Sequence, residues 1–503
     1  MKLLKNLNFW LIIILIIGAV LRFYNLPGYL QFLGDQGRDV LIVKRMIVDH
    51  QWTLLGPNAS VGGFFTGPIY YYFMLPFLWI FNLDPVGPAV LSALIGMGVI
   101  LLTFYFCHLF GNNKVGLIAS FLVAISPKMV DISRFSWNPN PVPFFSLLTM
   151  IFLYLAKAKG KSIFNFLAGI NLGILFQLHY IDLVFVPIVG LSILLLYSWR
   201  QWLIQGGLVL VGFLLGDSLF LIFEARHGFP NLKSVWEFVN RGGQTVAPRT
   251  ANPIELFSDI AHRLFRMTLS LPVWLEKTYV ISAMLGLGIW VKAQPKKMIL
   301  ILVWLLVGVF GVGSYRGSLY DHYFGYLYPL PFILLGLTFD IVLVQKWWGK
   351  TLGLVGISIL VYLSISNLYF WQKPNNMLDQ VKEIDQQVLT YADGQPYNLG
   401  LISSYNSDFS YRYYLEIWGK PPVTIENPDI DPQRKTVTDR LVVICEDKKC
   451  EPLGHPTWEI AGFGRAQIVQ EKIGPAGIRI FKLIHYDESQ KLKILPRRQA
   501  GKS

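Results

Sequence analysis

The chain has 503 residues, of which 53% are hydrophobic and 15% charged, against roughly 25% charged in soluble domains. Long apolar runs recur, so a polytopic membrane protein is expected rather than a soluble one. The formal charge of +13 calls for no nucleic acid, because Lys and Arg gather in the cytoplasmic loops of such proteins.

The first apolar run, 7–26, follows a basic start with Lys2 and Lys5. No small-x-small cleavage site follows it, and Arg22 precedes "FYNLPG", so a retained anchor is expected rather than a signal peptide. Next comes "FLGDQGRDVLIVKRMIVDH", where three Asp and three basic side chains sit among aliphatic residues. Val40, Val43 and Ile47 have helical spacing, which suits an amphipathic helix lying in the membrane interface. "GPIYYYFMLPFLWIFN" has the hydrophobicity of a span but is short, contains Pro68 and Pro76, and is rich in Tyr and Trp. It reads as a re-entrant or juxtamembrane helix.

About eleven crossings then remain: 7–26, 86–110, 115–130, 142–156, 163–179, 183–197, 203–223, 279–291, 298–312, 326–344 and 351–371. This count puts the short basic loops "GNNK", "KAKGK", "SWRQW", "KAQPKK" and "QKWWGK" on the cytoplasmic side with the N-terminus. The loops "SPKMVDISRFSWNPNP", "HYID", "EARHG" and "SYRGSLYDHYF" fall outside. The odd count also places the C-terminus outside.

From about 373 the composition becomes that of a soluble domain. "MLDQVKEIDQQVLTYADG" and "SYRYYLEIWG" read as helices, and "NLGLISS", "RLVVICED" and "GIRIFKLIHY" as strands. The expected division is a membrane domain over 1–372, an extracytoplasmic α/β domain over 373–490, and a basic tail over 491–503. Of the three Cys, Cys107 lies in an apolar run. Cys445 and Cys450 are able to close a small loop in an oxidising compartment.

Candidate functional residues cluster in the outer loops. Asp35 opens the amphipathic helix, either as its N-cap or as a catalytic carboxylate at the membrane boundary. Arg38 and Asp39 follow it. Arg134 is either a snorkelling interfacial residue or a phosphate cation. Trp137, Asn138 and Asn140 belong to a Pro-rich helix start or to a sugar contact. His179 and Tyr180 end one crossing; Arg316, Tyr320 and His322 precede another, and polar groups at such a place favour function. Arg241 lies in the longest outer loop, a solvated segment or a lid. Asp217 reads as buried, with helix-to-helix hydrogen bonding the ordinary reason. No His/Asp cluster has metal-ligand spacing.

The order of features resembles the GT-C membrane glycosyltransferases, nearest the protein O-mannosyltransferase and aminoarabinose-transferase group, glycosyltransferase family 39. The resemblance rests on the first crossing, the acidic motif, the amphipathic helix and the Pro-containing "GPIYYYFMLP". "LFGNNKVGLIASFLVAISP" and "YDHYFGYLYPLPFILLG" add to it. It covers about 7–371, weakly in the middle. It implies a mainly α, GT-C-type transmembrane bundle with extracytoplasmic juxtamembrane helices and a small C-terminal α/β domain.

The resemblance also implies a reaction. A sugar would move from a polyprenyl-phosphate donor to an acceptor hydroxyl on a glycan, lipid or protein, with inversion and with Asp35 as general base. Arg38, Asp39, Arg134, Asn138, His179, Tyr180, Arg241, Arg316, Tyr320 and His322 would bind substrate. A lipid monophosphate donor does not oblige the enzyme to use a metal, and no cofactor is indicated. Many members carry Asp-Glu where this chain has Asp35-Gln36, and their basic residue near the Pro element is absent. A lipid-linked sugar flippase would need polar groups along many helices. An O-antigen ligase or polymerase would take diphosphate donors, and a plain membrane anchor would not need acidic and basic outer loops.

Overall fold

The computed structural model describes residues 7–59, 63–240, 252–315 and 317–486. Its residues form two compact units, Met1–Leu26 with Val43–Pro374, and Pro27–Ile42 with Asn375–Ser503. The second unit therefore takes in the acidic segment near the N-terminus, which a boundary at 373 alone does not anticipate.

In the first unit, α1 (Leu7–Phe23) is followed by α2 (Gly34–Val48), whose last residues belong here. Then come α3 (Ile69–Ile80), α4 (Val86–Phe110), α5 (Asn113–Ile125), α6 (Pro127–Asp131), α7 (Val142–Lys159), α8 (Ile163–Leu178) and α9 (Phe185–Leu196). α10 (Trp199–Gly216), α11 (Ser218–His227), α12 (Pro230–Asn240), α13 (Pro253–Leu269), α14 (Val273–Ala293), α15 (Pro295–Ser314), α16 (Pro329–Leu343) and α17 (Trp347–Ser366) complete it.

Four of these helices, α4, α7, α15 and α17, are long and apolar enough to cross a membrane, or up to six spans if each of two bent pairs counts as one. The local chemistry explains why expected crossings are divided. Within 115–130, the Ser126 hydroxyl accepts the Met129 N–H and Pro127 occupies the first turn, so α6 starts anew. The 203–223 segment bends by 75° between α10 and α11, and the 326–344 segment bends by 49° ahead of Pro329. The Tyr-rich α3 has 12 residues, too short to span.

Small residues set the tightest packing. A Cβ on Gly169 of α8 would lie 2.1 Å from the Val209 carbonyl oxygen of α10, and one on Gly212 2.1 Å from that of Phe166. The two backbones thus touch, as glycine-lined membrane helices allow. The fully buried Arg22 of α1 donates to the carbonyls of Gly18, Ala124 and Val123, satisfying its charge against the end of α5. α13 is strongly amphipathic, with Ile260, Ala261, Leu264, Phe265 and Leu269 buried on one face; the sequence reading assigned no element there.

The second unit is an α/β domain of α18 (Met377–Ala392), β1 (Asn398–Ile402), α19 (Phe409–Ile417), β2 (Arg440–Cys445), α20 (Trp458–Phe463), β3 (Ala466–Ile473) and β4 (Arg479–His485). The sheet order is β1-β2-β4-β3. β1 and β2 pair in parallel with Leu399 opposite Val442, and the other pairs are antiparallel. Parallel pairing needs a crossover, and α19 lies within it. Ile402, Leu441, Val443, Ile460, Phe463, Phe481 and Leu483 form the core. Burying each such side chain contributes about 1.5–3 kcal/mol. Cys445 and Cys450 are disulfide-bonded at the end of β2.

Candidate functional site

Asp35 lies in the first turn of α2. Between Gln31 and Ile47 it is the one exposed residue, and its side chain keeps 49% of its accessible surface. It does not cap the helix. The Gln36 Oε1 accepts the Leu33 N–H at 3.0 Å, as the glutamine of a capping box does. The Gly34 N–H donates to Asn406 Oδ1 at 2.7 Å. With the capping done by others, Asp35 Oδ1 accepts from Arg38 Nη1 at 2.8 Å. Its Oδ2 has no hydrogen-bond partner among the described residues.

Asp39 is fully buried and accepts from Arg38 Nε and Nη2 at 2.9 and 2.8 Å. One guanidinium thus bridges both carboxylates. Asp39 orients Arg38 and, being buried, offers no second carboxylate to solvent. Gln36 has a backbone role here, since its amide oxygen takes the Leu33 N–H.

The first unit gathers a second group. His179 stacks on Tyr180 at 4.4 Å and meets the ring of His322 at 5.1 Å. His322 meets Trp137 at 4.7 Å and stacks with Tyr320 at 5.8 Å. The hydroxyls of Tyr180 and Tyr323 hydrogen-bond to each other. Four residues singled out from two separate loops, His179, Tyr180, Tyr320 and His322, therefore share one aromatic cluster with Trp137 and Tyr323. Asn138 lies beside it with its Nδ2 donating to the Leu178 carbonyl at 2.6 Å, so it secures the end of α8.

Arg134 has a different occupation from the one expected. It is buried, and its two terminal nitrogens donate to the carbonyls of Leu21, Arg22, Tyr24 and Asn25 at 2.7–3.4 Å. It closes the carbonyl end of α1, with the Phe370 ring 4.8 Å from the guanidinium. Arg241 and Arg316 lie outside the described residues. Asp217 is buried at the bend between α10 and α11, where neither oxygen has a hydrogen bond among the described residues. The expected interhelical bond is not made.

The cations that sequence reading passed over are Lys128 and Arg263. Lys128 Nζ lies 3.3 Å from Asp321 Oδ2, and Arg263 Nη2 lies 3.2 Å from Asp321 Oδ1. Burial alone would raise the Asp321 carboxyl, but the two cations outweigh it and hold it below the usual range. Asp321 precedes His322, so this charged group adjoins the aromatic one in sequence. Lys128 was visible in "SPKMVDIS"; Arg263 was hidden because α13 was not read as a helix. Among the described residues no group of three or more His, Cys, Asp or Glu side chains is arranged to hold a metal ion.

These features define a multi-pass membrane protein with the GT-C glycosyltransferase fold. Among solved structures, the chain is similar to ArnT from Cupriavidus metallidurans bound to undecaprenyl phosphate, with 12% identity, a TM-score of 0.64, and 94% of this chain and 98% of that one covered. It is similar also to the oligosaccharyltransferase AglB from Archaeoglobus fulgidus in complex with an inhibitory peptide and a dolichol-phosphate, with 14% identity, a TM-score of 0.50, and 94% and 74% covered. No protein family matches the sequence, and no curated protein matches it.

Proposed function

We propose that this protein is an inverting glycosyltransferase that moves a sugar from a polyprenyl-phosphate donor to an acceptor hydroxyl at the outer membrane face. The observation that carries the reading is Asp35, an exposed carboxylate with a free Oδ2 in the first turn of a helix whose next twelve residues are buried or half-buried. The fold supports it, since solved structures of that fold hold undecaprenyl phosphate and a dolichol-phosphate.

In the proposed step Asp35 Oδ2 takes the acceptor hydroxyl proton as the oxygen attacks the anomeric carbon. The bond from that carbon to the phosphate oxygen breaks, and the lipid phosphate leaves with the electron pair. A single displacement inverts the configuration, through an oxocarbenium-like transition state. Arg38, held by Asp39, fixes the carboxylate's orientation. Within the first unit, Lys128 and Arg263 are the cations suited to a lipid phosphate, because charge-assisted hydrogen bonds to phosphate oxygens are strong. The same unit's ring cluster of Trp137, His179, Tyr180, Tyr320 and His322 is suited to a sugar. The acceptor class is a glycan, lipid or protein hydroxyl. The N-terminus lies in the cytoplasm and the C-terminal unit outside in this reading, which follows the basic loops and suits the disulfide.

The test uses the purified protein in lipid with a panel of radiolabelled polyprenyl-phosphate sugars. Wild type should transfer or slowly hydrolyse one of them. Asp35→Asn should retain donor binding and lose on the order of 10²–10⁴ in rate, the usual worth of a general base. Equal turnover by both proteins would remove Asp35 from the mechanism, and turnover of no donor would defeat the transferase reading.

A further inference from the structure

The acidic segment is built into the C-terminal domain. Backbone and side-chain bonds fasten it at successive points. The Asn376 N–H donates to the Gly28 carbonyl at 2.9 Å. The Phe32 ring stands edge-on to Tyr413 and Tyr414 at 6.1 and 5.9 Å. The Gly34 N–H is taken by Asn406.

Two glycines make the approach possible. A Cβ on Gly34 would lie 1.9 Å from Ser407 Oγ and 2.9 Å from the Ser407 nitrogen. A Cβ on Gly37 would lie 2.3 Å from the Ser410 nitrogen and 2.5 Å from the Phe409 carbonyl carbon. The second obstacle is backbone, which cannot swing aside. Gly34 and Gly37 are one turn apart, so one face of α2 is stripped to its backbone where it meets the start of α19.

Asn406 is itself held. Its Nδ2 donates to Glu446 Oε1 at 2.8 Å, and the Tyr411 hydroxyl donates to the same oxygen at 2.8 Å. Glu446 follows the disulfide-bonded Cys445 at the end of β2. A continuous line of bonds therefore runs from Glu446 through Asn406 to the first N–H of the helix that carries Asp35. An oxygen aimed at that N–H does for α2 what an N-cap side chain does in other helices, but it is supplied from a distant part of the chain.

We infer that Asn406, oriented by Glu446 and Tyr411, is a positioning residue for Asp35, and that the C-terminal domain serves the reaction by fixing the backbone from which the proposed base projects. This inference rests on Asp35 being that base. It gives the domain a part in turnover.

The test compares full-length wild type, Asn406→Ala, and the double variant Asn406→Asp with Glu446→Gln. In the double variant the new carboxylate accepts from Gly34 and from the new amide, so the line of bonds is restored with its middle link reversed. Hydrogen exchange over 32–38 is read first, since it needs no substrate. Asn406→Ala should exchange there at least tenfold faster, with exchange in β2 and β4 unchanged, and the double variant should return toward wild type. Turnover of the polyprenyl-phosphate sugar should follow the same order, with kcat lowered about tenfold or more in Asn406→Ala and KM for the donor unchanged. Unaltered exchange over 32–38 in Asn406→Ala overturns the inference, as does a kcat equal to wild type while Asp35→Asn is inactive. An active Asp35→Asn instead defeats the function on which the inference rests.

Discussion

Asp385 provides a test of how the C-terminal domain is held together. It lies on α18 beside the buried Leu378, Val381, Ile384 and Val388, and is itself fully buried. Neither carboxyl oxygen has a hydrogen-bond partner among the described residues. Burial without a partner disfavours the charge, and it pushes the carboxyl well above its ordinary range. The folded protein then holds a proton that the unfolded chain releases above about pH 4. Stability from this group is fully present below the unfolded value and declines as pH rises toward the raised folded one. Each pH unit within that window should remove a little over ~1 kcal/mol, and each kcal/mol is worth roughly 4–8 °C in melting temperature for a small domain. Asp385→Asn keeps the shape and abolishes the titration, so its stability should not fall across the window and should exceed wild type at its upper end. Pulse proteolysis of the full-length protein in urea, from pH 4.5 to 7, reads the unfolding of this domain. Wild type and variant with the same pH slope would refute the reasoning.

The charged cluster of the first unit yields a prediction of opposite sense. Asp321→Asn should tighten binding of undecaprenyl phosphate several-fold, because Lys128 and Arg263 lose the carboxylate they now share; weaker binding in a scintillation assay would count against their assignment. The Asp321 carboxyl lies below its usual range, so the stability it contributes should persist at pH 5 and be lost only as pH falls through its folded value. Arg134→Ala should destabilise the protein by about 3 kcal/mol or more, since several charge-assisted bonds to carbonyls are removed; an unchanged melting temperature with loss of donor binding would return Arg134 to the phosphate. Gln36→Glu should destabilise the protein by about 1 kcal/mol or more at neutral pH and by less at pH 4, read as melting temperature, because the side chain still reaches the Leu33 N–H but its new charge is buried between Asp35 and Asp39 in sequence.

Much of the architecture was legible because its signals are local. The helix 34–48 was visible in the spacing of Val40, Val43 and Ile47, and three of the four strands among the described residues were visible as short apolar runs. β3 was missed because it is an edge strand with an exposed polar pattern, Ala466–Ile473, and little apolar alternation. α13 was missed although its periodicity was present, because attention to spans passes over a helix whose mean polarity is high. The broken spans were harder. Ser126-Pro127 carries a start signal that could have been read, and Gly216-Asp217-Ser218 has the residue types of a break at the 75° turn, although Asp217 makes no cap bond there.

Site chemistry divides along a different line. Residue types showed which loops were polar, but that their rings meet in one cluster is seen only in the structure. Which side chain does which work depended on partners distant in sequence. Arg134 and Lys128 lie in the same loop and carry the same charge. The structure gives the first to the carbonyls of α1 and the second to Asp321. Spacing could not separate the two, because the carbonyls that claim Arg134 come from residues 21–25. Asp35 shows the converse. Its bland alternative was helix capping, and only the position of Asn406 and the rotamer of Gln36 remove that duty from it. The capping of this helix start is done by other groups and one Asp35 oxygen is left without a hydrogen bond among the described residues, and it is on this ground that we propose a part in chemistry for it.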